Sequence, residues 1–201
     1  MLDARARRYI DPPLNFIGRR FASNGITANQ VTFVGLIFGI LTAVVIILGY
    51  PLIALIPMIL SRLADGIDGA VARAAGKTDF GGYLDIVCDF LFYGLVPMAF
   101  IWMEPSNALS GAFLLTSFYF NGASFLGFAI LAERHGLETK VQGVKSLYYS
   151  NGLLEGTETI IFFIALCVFP AYFPPLAWAF GGLCFVTASL RIWGARQLFS
   201  N

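Results

Sequence analysis

The chain has 201 residues, 58% hydrophobic and 12% charged, with a net charge of +1. Soluble domains carry about 45–50% apolar and about 25% charged residues, so this balance excludes an ordinary soluble domain, and nothing in the charges points to nucleic acid. Cys88, Cys167 and Cys184 all fall within apolar runs, which excludes a disulfide scaffold and leaves them as small residues of membrane helices.

The N-terminal segment is basic but is followed by no short apolar core with a small-residue cleavage site, so a signal peptide is not expected. Over residues 4–20, arginines alternate with Tyr9, Ile10, Leu14, Phe16 and Ile17, interrupted by Pro12 and Pro13. This pattern predicts a short amphipathic helix lying in the headgroup region, with the two prolines as a break. Residues 1–26 form this juxtamembrane segment and 27–201 a single membrane domain. Thr27 is placed to cap the first span.

Six segments are long enough to span, near residues 29–49, 52–74, 81–103, 108–132, 152–171 and 175–197, given that about 20 residues cross a hydrocarbon core. Pro51, Pro105, Pro174 and Pro175 mark helix ends. All 13 lysines and arginines fall on one side of this layout. The positive-inside rule then places both termini in the cytoplasm. Trp102, Trp178 and Trp193 read as interface anchors, and His135 as an incidental loop residue.

The second and third spans carry Asp65, Asp68, Asp85 and Asp89. Each aspartate at the centre of a membrane helix costs about 2.5–3.5 kcal/mol, on the order of 10 kcal/mol for four. They are tolerable facing a hydrated cavity, paired with bases, or binding cations. Arg62 and Arg73 are the nearby bases, too few and too poorly placed for pairing with them. Asp65 and Asp68 are three apart and Asp85 and Asp89 four apart, so each pair occupies one helix face. Ser61, Gly69 and Ala72 share the face of the first pair, and Gly81 and Gly82 precede the second. A short loop makes the two helices antiparallel neighbours, so the four carboxylates converge. Four carboxylates without His or Cys suit Mg²⁺ or Mn²⁺, as two ions in phosphoryl chemistry. A cation-conducting or structural acidic cavity is the alternative.

The run from Asp65 to Asp89 resembles the signature of the CDP-alcohol phosphotransferases, D-x2-D-G-x2-A-R-x8-G-x3-D-x3-D. Every fixed position is met; the departure is seven residues instead of eight between Arg73 and Gly81. The Thr27-Ala28-Asn29 start of the first span is also similar to the family's Thr-Pro-Asn. The resemblance implies a six-helix inner-membrane enzyme, a homodimer, that moves a phosphatidyl or related group from a CDP-linked donor to an alcohol acceptor with release of CMP. CDP-diacylglycerol is the donor it favours. It implies that Asp65, Asp68, Asp85 and Asp89 hold the metals, with Asp89 as base, that Arg73 grips the donor phosphates, and that Gly69, Ala72 and Gly81 make room for the nucleotide.

For the acceptor, Arg62 could bind a phosphate or simply balance the acids. Lys145, in "KVQGVK", and the pair Glu155 and Glu158 are further acceptor candidates, although acids at a helix N-terminus need no such role. An intramembrane prenyltransferase would also use acids and Mg²⁺ but not the Gly69, Ala72 and Arg73 set. A divalent-cation transporter needs polar groups through the whole bilayer, which these helices lack.

Overall fold

The computed structural model describes residues 2–136, 154 and 156–199, with the backbone alone for residues 2–10. Among the described residues there is no strand. The helices are α1 (Leu2–Ser23), α2 (Ala28–Ile47), α3 (Pro51–Ala75), α4 (Asp79–Met103), α5 (Ala108–Arg134), α6 (Gly156–Val168) and α7 (Phe173–Phe199). Single 3₁₀ turns at Pro105–Asn107 and Pro170–Tyr172 make the tight connections before α5 and α7.

Local chemistry sets these boundaries. Thr27 Oγ1 accepts from the Gln30 N–H at 3.3 Å, and the Thr27 N–H donates to Gln30 Oε1 at 2.9 Å, a reciprocal capping box. Pro51 occupies the first turn of α3, where its missing N–H costs nothing. Thr78 caps α4 by accepting from the Gly81 N–H at 3.1 Å. The expected break in α1 is absent, since the helix runs through Pro12 and Pro13. Docking of the residues just beyond them against α3 keeps this segment helical despite the lost hydrogen bonds.

Four helical stretches are long and apolar enough to cross a membrane: Ala28–Ile47, Asp79–Met103, Pro105–Arg134 and Pro170–Phe199. α3 matches α4 in length, 25 residues each, but from its middle onward it carries Arg62, Asp65, Asp68 and Arg73. α6 covers 13 residues. Large apolar side chains line the outside, among them Ile37, Ile56 and Ile130, as a lipid-facing surface requires. Trp102, Trp178 and Trp193 are all exposed, and Trp178 also packs on Phe113 with ring centroids 4.3 Å apart.

α2 is the hub and packs along both α3 and α4, while α5 packs on α7 and α1 lies against the second half of α3. Between apolar helices in lipid, close approach drives association more than burial from water does. The contacts are built on small residues: a Cβ added at Gly35 would stand 3.2 Å from Ala64 Cβ, and one at Gly39 3.0 Å from the Phe92 ring. The main core joins Ile46 and Met58 to Phe92, Phe100, Phe163 and Phe173. Phe162 and Phe180 stack within it at 4.0 Å. A smaller cluster of Val31, Ala64 and Val71 sits under α1. The aspartates lie between the two. All three cysteines are free thiols, with Cys167 and Cys184 buried.

Candidate active site

α3 and α4 are antiparallel neighbours as expected, but their backbones stand apart and side chains bridge the space between them. Both lean instead on α2, whose glycines admit them, and a narrow cleft opens between them. α2 contributes Thr32 and Gly35 to it, α3 contributes Ser61, Arg62, Asp65 and Asp68, and α4 contributes Cys88, Asp89 and Phe92. Asp85 stands one turn before Asp89 on α4. Each of the four carboxylates lies within Coulombic range of the other three.

Asp68 is the most buried of them, 5% exposed. Its Oδ2 accepts from Thr32 Oγ1 at 2.6 Å, a length typical of a hydroxyl donating to a carboxylate. The same hydroxyl lies 3.1 Å from the Ala28 carbonyl, but its single proton serves the shorter, charge-assisted bond. Thr32 therefore fixes one carboxylate from the floor of the cleft.

Arg62 occupies the centre. Its Nη1 donates to Asp89 Oδ1 at 2.7 Å and lies 3.9 Å from Asp65 Oδ1. Its Nη2 donates to Ser61 Oγ at 3.1 Å, and Ser61 Oγ in turn donates to the Gly35 carbonyl at 2.8 Å. The guanidinium carbon sits 4.1 Å over the Phe92 ring. Arg62 Nε is buried and has no hydrogen-bond partner. The expectation that nearby bases would not pair with these acids is thus corrected. Arg62 reaches across to the other helix, and of the two roles open to it, balancing the acids is the one this geometry displays.

Arg73 projects from the last turn of α3 into the open. Its Nε and Nη2 both donate to Asn15 Oδ1 of α1, at 3.2 and 3.0 Å. The helix face beside it is bare, since a Cβ at Gly69 would meet only Arg73 Nη1, at 3.3 Å. Ala72 is half-buried on the same helix. Gly81 differs: a Cβ there would come within 2.9 Å of Thr78 Oγ1 and 3.2 Å of Asn29 Oδ1, so packing of α4 on its own cap and on α2 already demands glycine. Glu158 is half-buried in the first turn of α6, outside the residues lining the cleft. Lys145 and Glu155 lie outside the described residues.

Among the described residues, no three His, Cys, Asp or Glu side chains are gathered closely enough to form a ready-made metal cage. The donor set nonetheless fits a hard divalent cation. Its four carboxylates are hard oxygen ligands in mutual range on facing helices, with the Cys88 thiol beside them, and the set draws a guanidinium into its centre even though that leaves the buried Nε unsatisfied.

The family model for CDP-alcohol phosphatidyltransferase matches residues 25–193. The chain belongs to the CDP-alcohol phosphatidyltransferase family. It is therefore a membrane enzyme of lipid biosynthesis that transfers substituted phosphate groups. It is 47% identical to the inner membrane protein YnjF of Escherichia coli over 96% of this chain and 94% of that one. It is 38% identical to the archaetidylinositol phosphate synthase of Pyrococcus horikoshii over 44% of this chain and 47% of that one. It is 40% identical to the bifunctional IPC transferase and DIPP synthase of Thermococcus kodakarensis over 32% of this chain and 15% of that one. No solved structure matches.

The family signature spans the cleft, from Asp65 and Asp68 on one wall to Asp89 on the other, with Asp85 one turn before Asp89 and outside the lining. Sequence reasoning missed two polar partners of its residues. Thr32 lies five residues beyond the helix cap Thr27, and its signal was a hydroxyl in an otherwise apolar helix that it shares with Thr42. Asn15 had no signal, because it meets Arg73 58 residues away.

Proposed function

We propose that the protein transfers a phosphatidyl group from a CDP-linked lipid, CDP-diacylglycerol in the first instance, to an alcohol and releases CMP. What supports this reading is the convergence of three signature carboxylates, Asp65, Asp68 and Asp89, on a single cleft, with Asp85 in electrostatic range, beside the bare helix face at Gly69. Asp65, Asp68, Asp85 and Asp89 hold Mg²⁺ or Mn²⁺, up to two ions. When bound, these neutralise the donor pyrophosphate and the charge that grows on the departing CMP.

The chain's own groups do the rest. Arg73 presents a planar fork to the donor phosphates, and Asn15 holds that fork in register. Gly69 and Ala72 let the cytidine nucleotide lie against α3, with Gly81 at the start of α4. Asp89 takes the proton of the acceptor hydroxyl as its oxygen attacks the β-phosphorus. The bond from that phosphorus to the bridging oxygen then breaks, and CMP leaves. The acceptor class favoured by Arg62, Lys140 and Lys145 is a phosphorylated or otherwise anionic alcohol, with Glu155 and Glu158 as further acceptor candidates. The Pyrococcus relative is named for an archaetidylinositol phosphate product, which carries a phosphate of the kind such an acceptor would supply.

In the membrane, α2 to α7 supply six spans, residues 1–26 lie along the inner surface, and 27–201 form the catalytic domain. The basic residues put both termini on the cytoplasmic side of a bacterial inner membrane, and the protein works as a homodimer.

The test is CMP release by protein in lipid, given CDP-diacylglycerol, Mg²⁺ or Mn²⁺ and one alcohol at a time. CMP appearing with one acceptor, and at comparable rate with none of the others, is the expected result. Metal flux through the protein without CMP from any donor, CDP-amino alcohols included, would return the aspartates to a transport role. A second expectation concerns Asn15. Asn15→Ala should raise the donor KM about 3- to 10-fold, the net worth of a typical hydrogen bond at an exposed site, with kcat nearly unchanged. An unaltered donor KM would mean that Arg73 needs no support from α1.

A further inference from the structure

The position of Arg62 is odd for a residue meant simply to neutralise acid. It does not sit at the rim, where solvent would do the same work, but in the middle of the cleft with its side chain only 18% exposed. Three separate contacts hold it there: the Asp89 carboxylate, the Ser61 hydroxyl and the face of Phe92. The group is nevertheless imperfectly housed, because Nε is buried with nothing to bond. Asp65 Oδ1, at 3.9 Å, is an ion-pair neighbour and not a hydrogen-bond acceptor. A guanidinium fully committed to a structural role would have that fifth donor satisfied.

We propose that Arg62 is an internal cation that takes the divalent metal's place among the aspartates and is displaced when the metal binds. The proposal rests on the metal-dependent reading above. Asp89 Oδ1 cannot serve both the guanidinium and a metal at full strength, since the two cations repel at that range. Entry of the metal therefore requires Nη1 to let go of Asp89. The other two anchors do not involve carboxylates, so Ser61 and Phe92 keep the released guanidinium on the cleft wall. It is then a free positive fork beside the reacting groups, placed for an anionic phosphate of a substrate. In the absence of metal the same residue offsets four carboxylates held where water is scarce, and the empty site stays folded.

The consequence is a competition that can be measured without turnover. Mn²⁺ binding is followed in lipid nanodiscs through loss of the electron-paramagnetic signal of the free aqua ion, for wild type, Arg62→Gln and Arg62→Lys. Removing a bound competitor raises apparent affinity by the reciprocal of the fraction of sites it had left open. Arg62→Gln is expected to bind Mn²⁺ about tenfold more tightly than wild type, because the lost contact is a charge-assisted hydrogen bond. Arg62→Lys keeps the charge but not the fork, and is expected to fall between the two. Metal-free Arg62→Gln should melt below wild type, with the gap closing at saturating Mn²⁺. Should the glutamine variant fail to fold, the lysine variant carries the test alone.

Mn²⁺ affinity that is unchanged or weaker in the variants, with wild type binding normally, overturns the displacement and leaves the metal site standing. Absence of Mn²⁺ binding in all three overturns the metal reading itself, and this proposal with it.

Discussion

Asp89→Asn is expected to abolish CMP release, by about 10²- to 10⁴-fold or more, the range contributed by a positioned general base. The amide has nearly the shape of the carboxylate but cannot take a proton from the acceptor hydroxyl. It also weakens the 2.7 Å bond from Arg62, since a neutral oxygen replaces a charged one. The fold should survive, because Ser61 and Phe92 still hold the guanidinium and Asp65 remains 3.9 Å away to balance it. The measurement is turnover together with a thermal melt of the same preparation. Turnover within about tenfold of wild type would remove Asp89 as the base, and a melt far below wild type would show that the ion pair, not the proton transfer, had been lost.

Much of this site was legible because helical spacing is rigid. Three- and four-residue intervals put Asp65 with Asp68, and Asp85 with Asp89, on single faces whatever the rest of the chain does. The capping box at Thr27 and the helix starts at Pro51 and Pro105 are equally local, and they stand where the sequence puts them. Which face of each helix turns inward was not legible. In a soluble helix an apolar stripe names the buried side, but α2 is apolar all round, and lipid and core reward the same side chains. What distinguishes its inner face is size: Gly35, Gly39 and Ala43, four apart, are buried, while Ile37 and Ile40 face out.

That difference explains why α3 and α4, though neighbours, meet through side chains and not through close backbone packing. A short loop makes them neighbours in sequence, yet the small-residue face of α2 accepts both and holds them apart. The gap so created is the cleft. The pairing of Arg62 with Asp89 follows from it, since an arginine on one wall spans to the other only if the walls are separated. Interactions between residues so far apart in the chain leave no periodic trace. Asn15 with Arg73 and Thr32 with Asp68 are of the same kind.

Gly18→Leu should separate α1 from the rest of the molecule, and its effect should exceed that of losing Asn15 alone. A Cβ at Gly18 would stand 2.6 Å from both the backbone carbon and the Cβ of Ala70, and 2.9 Å from the Val71 nitrogen. These are backbone and near-backbone atoms of a packed helix, so no side chain can swing aside to make room. α1 must move, and the seat of Leu14 against Gly66 goes with it. Overpacking of this kind costs about 1–3 kcal/mol, which a thermal melt would register as a lower midpoint. The functional cost follows from geometry, because Asn15 lies on the displaced helix and its 3.0 Å contact with Arg73 cannot persist. The donor KM should therefore rise at least as far as in Asn15→Ala. Gly18→Ala, which adds only the offending Cβ, should move the melt in the same direction by less. If Gly18→Leu left both the midpoint and the donor KM at wild-type values, α1 would have to sit free of α3 in the membrane surface. Arg73 would then meet the donor without a partner from the N-terminal helix.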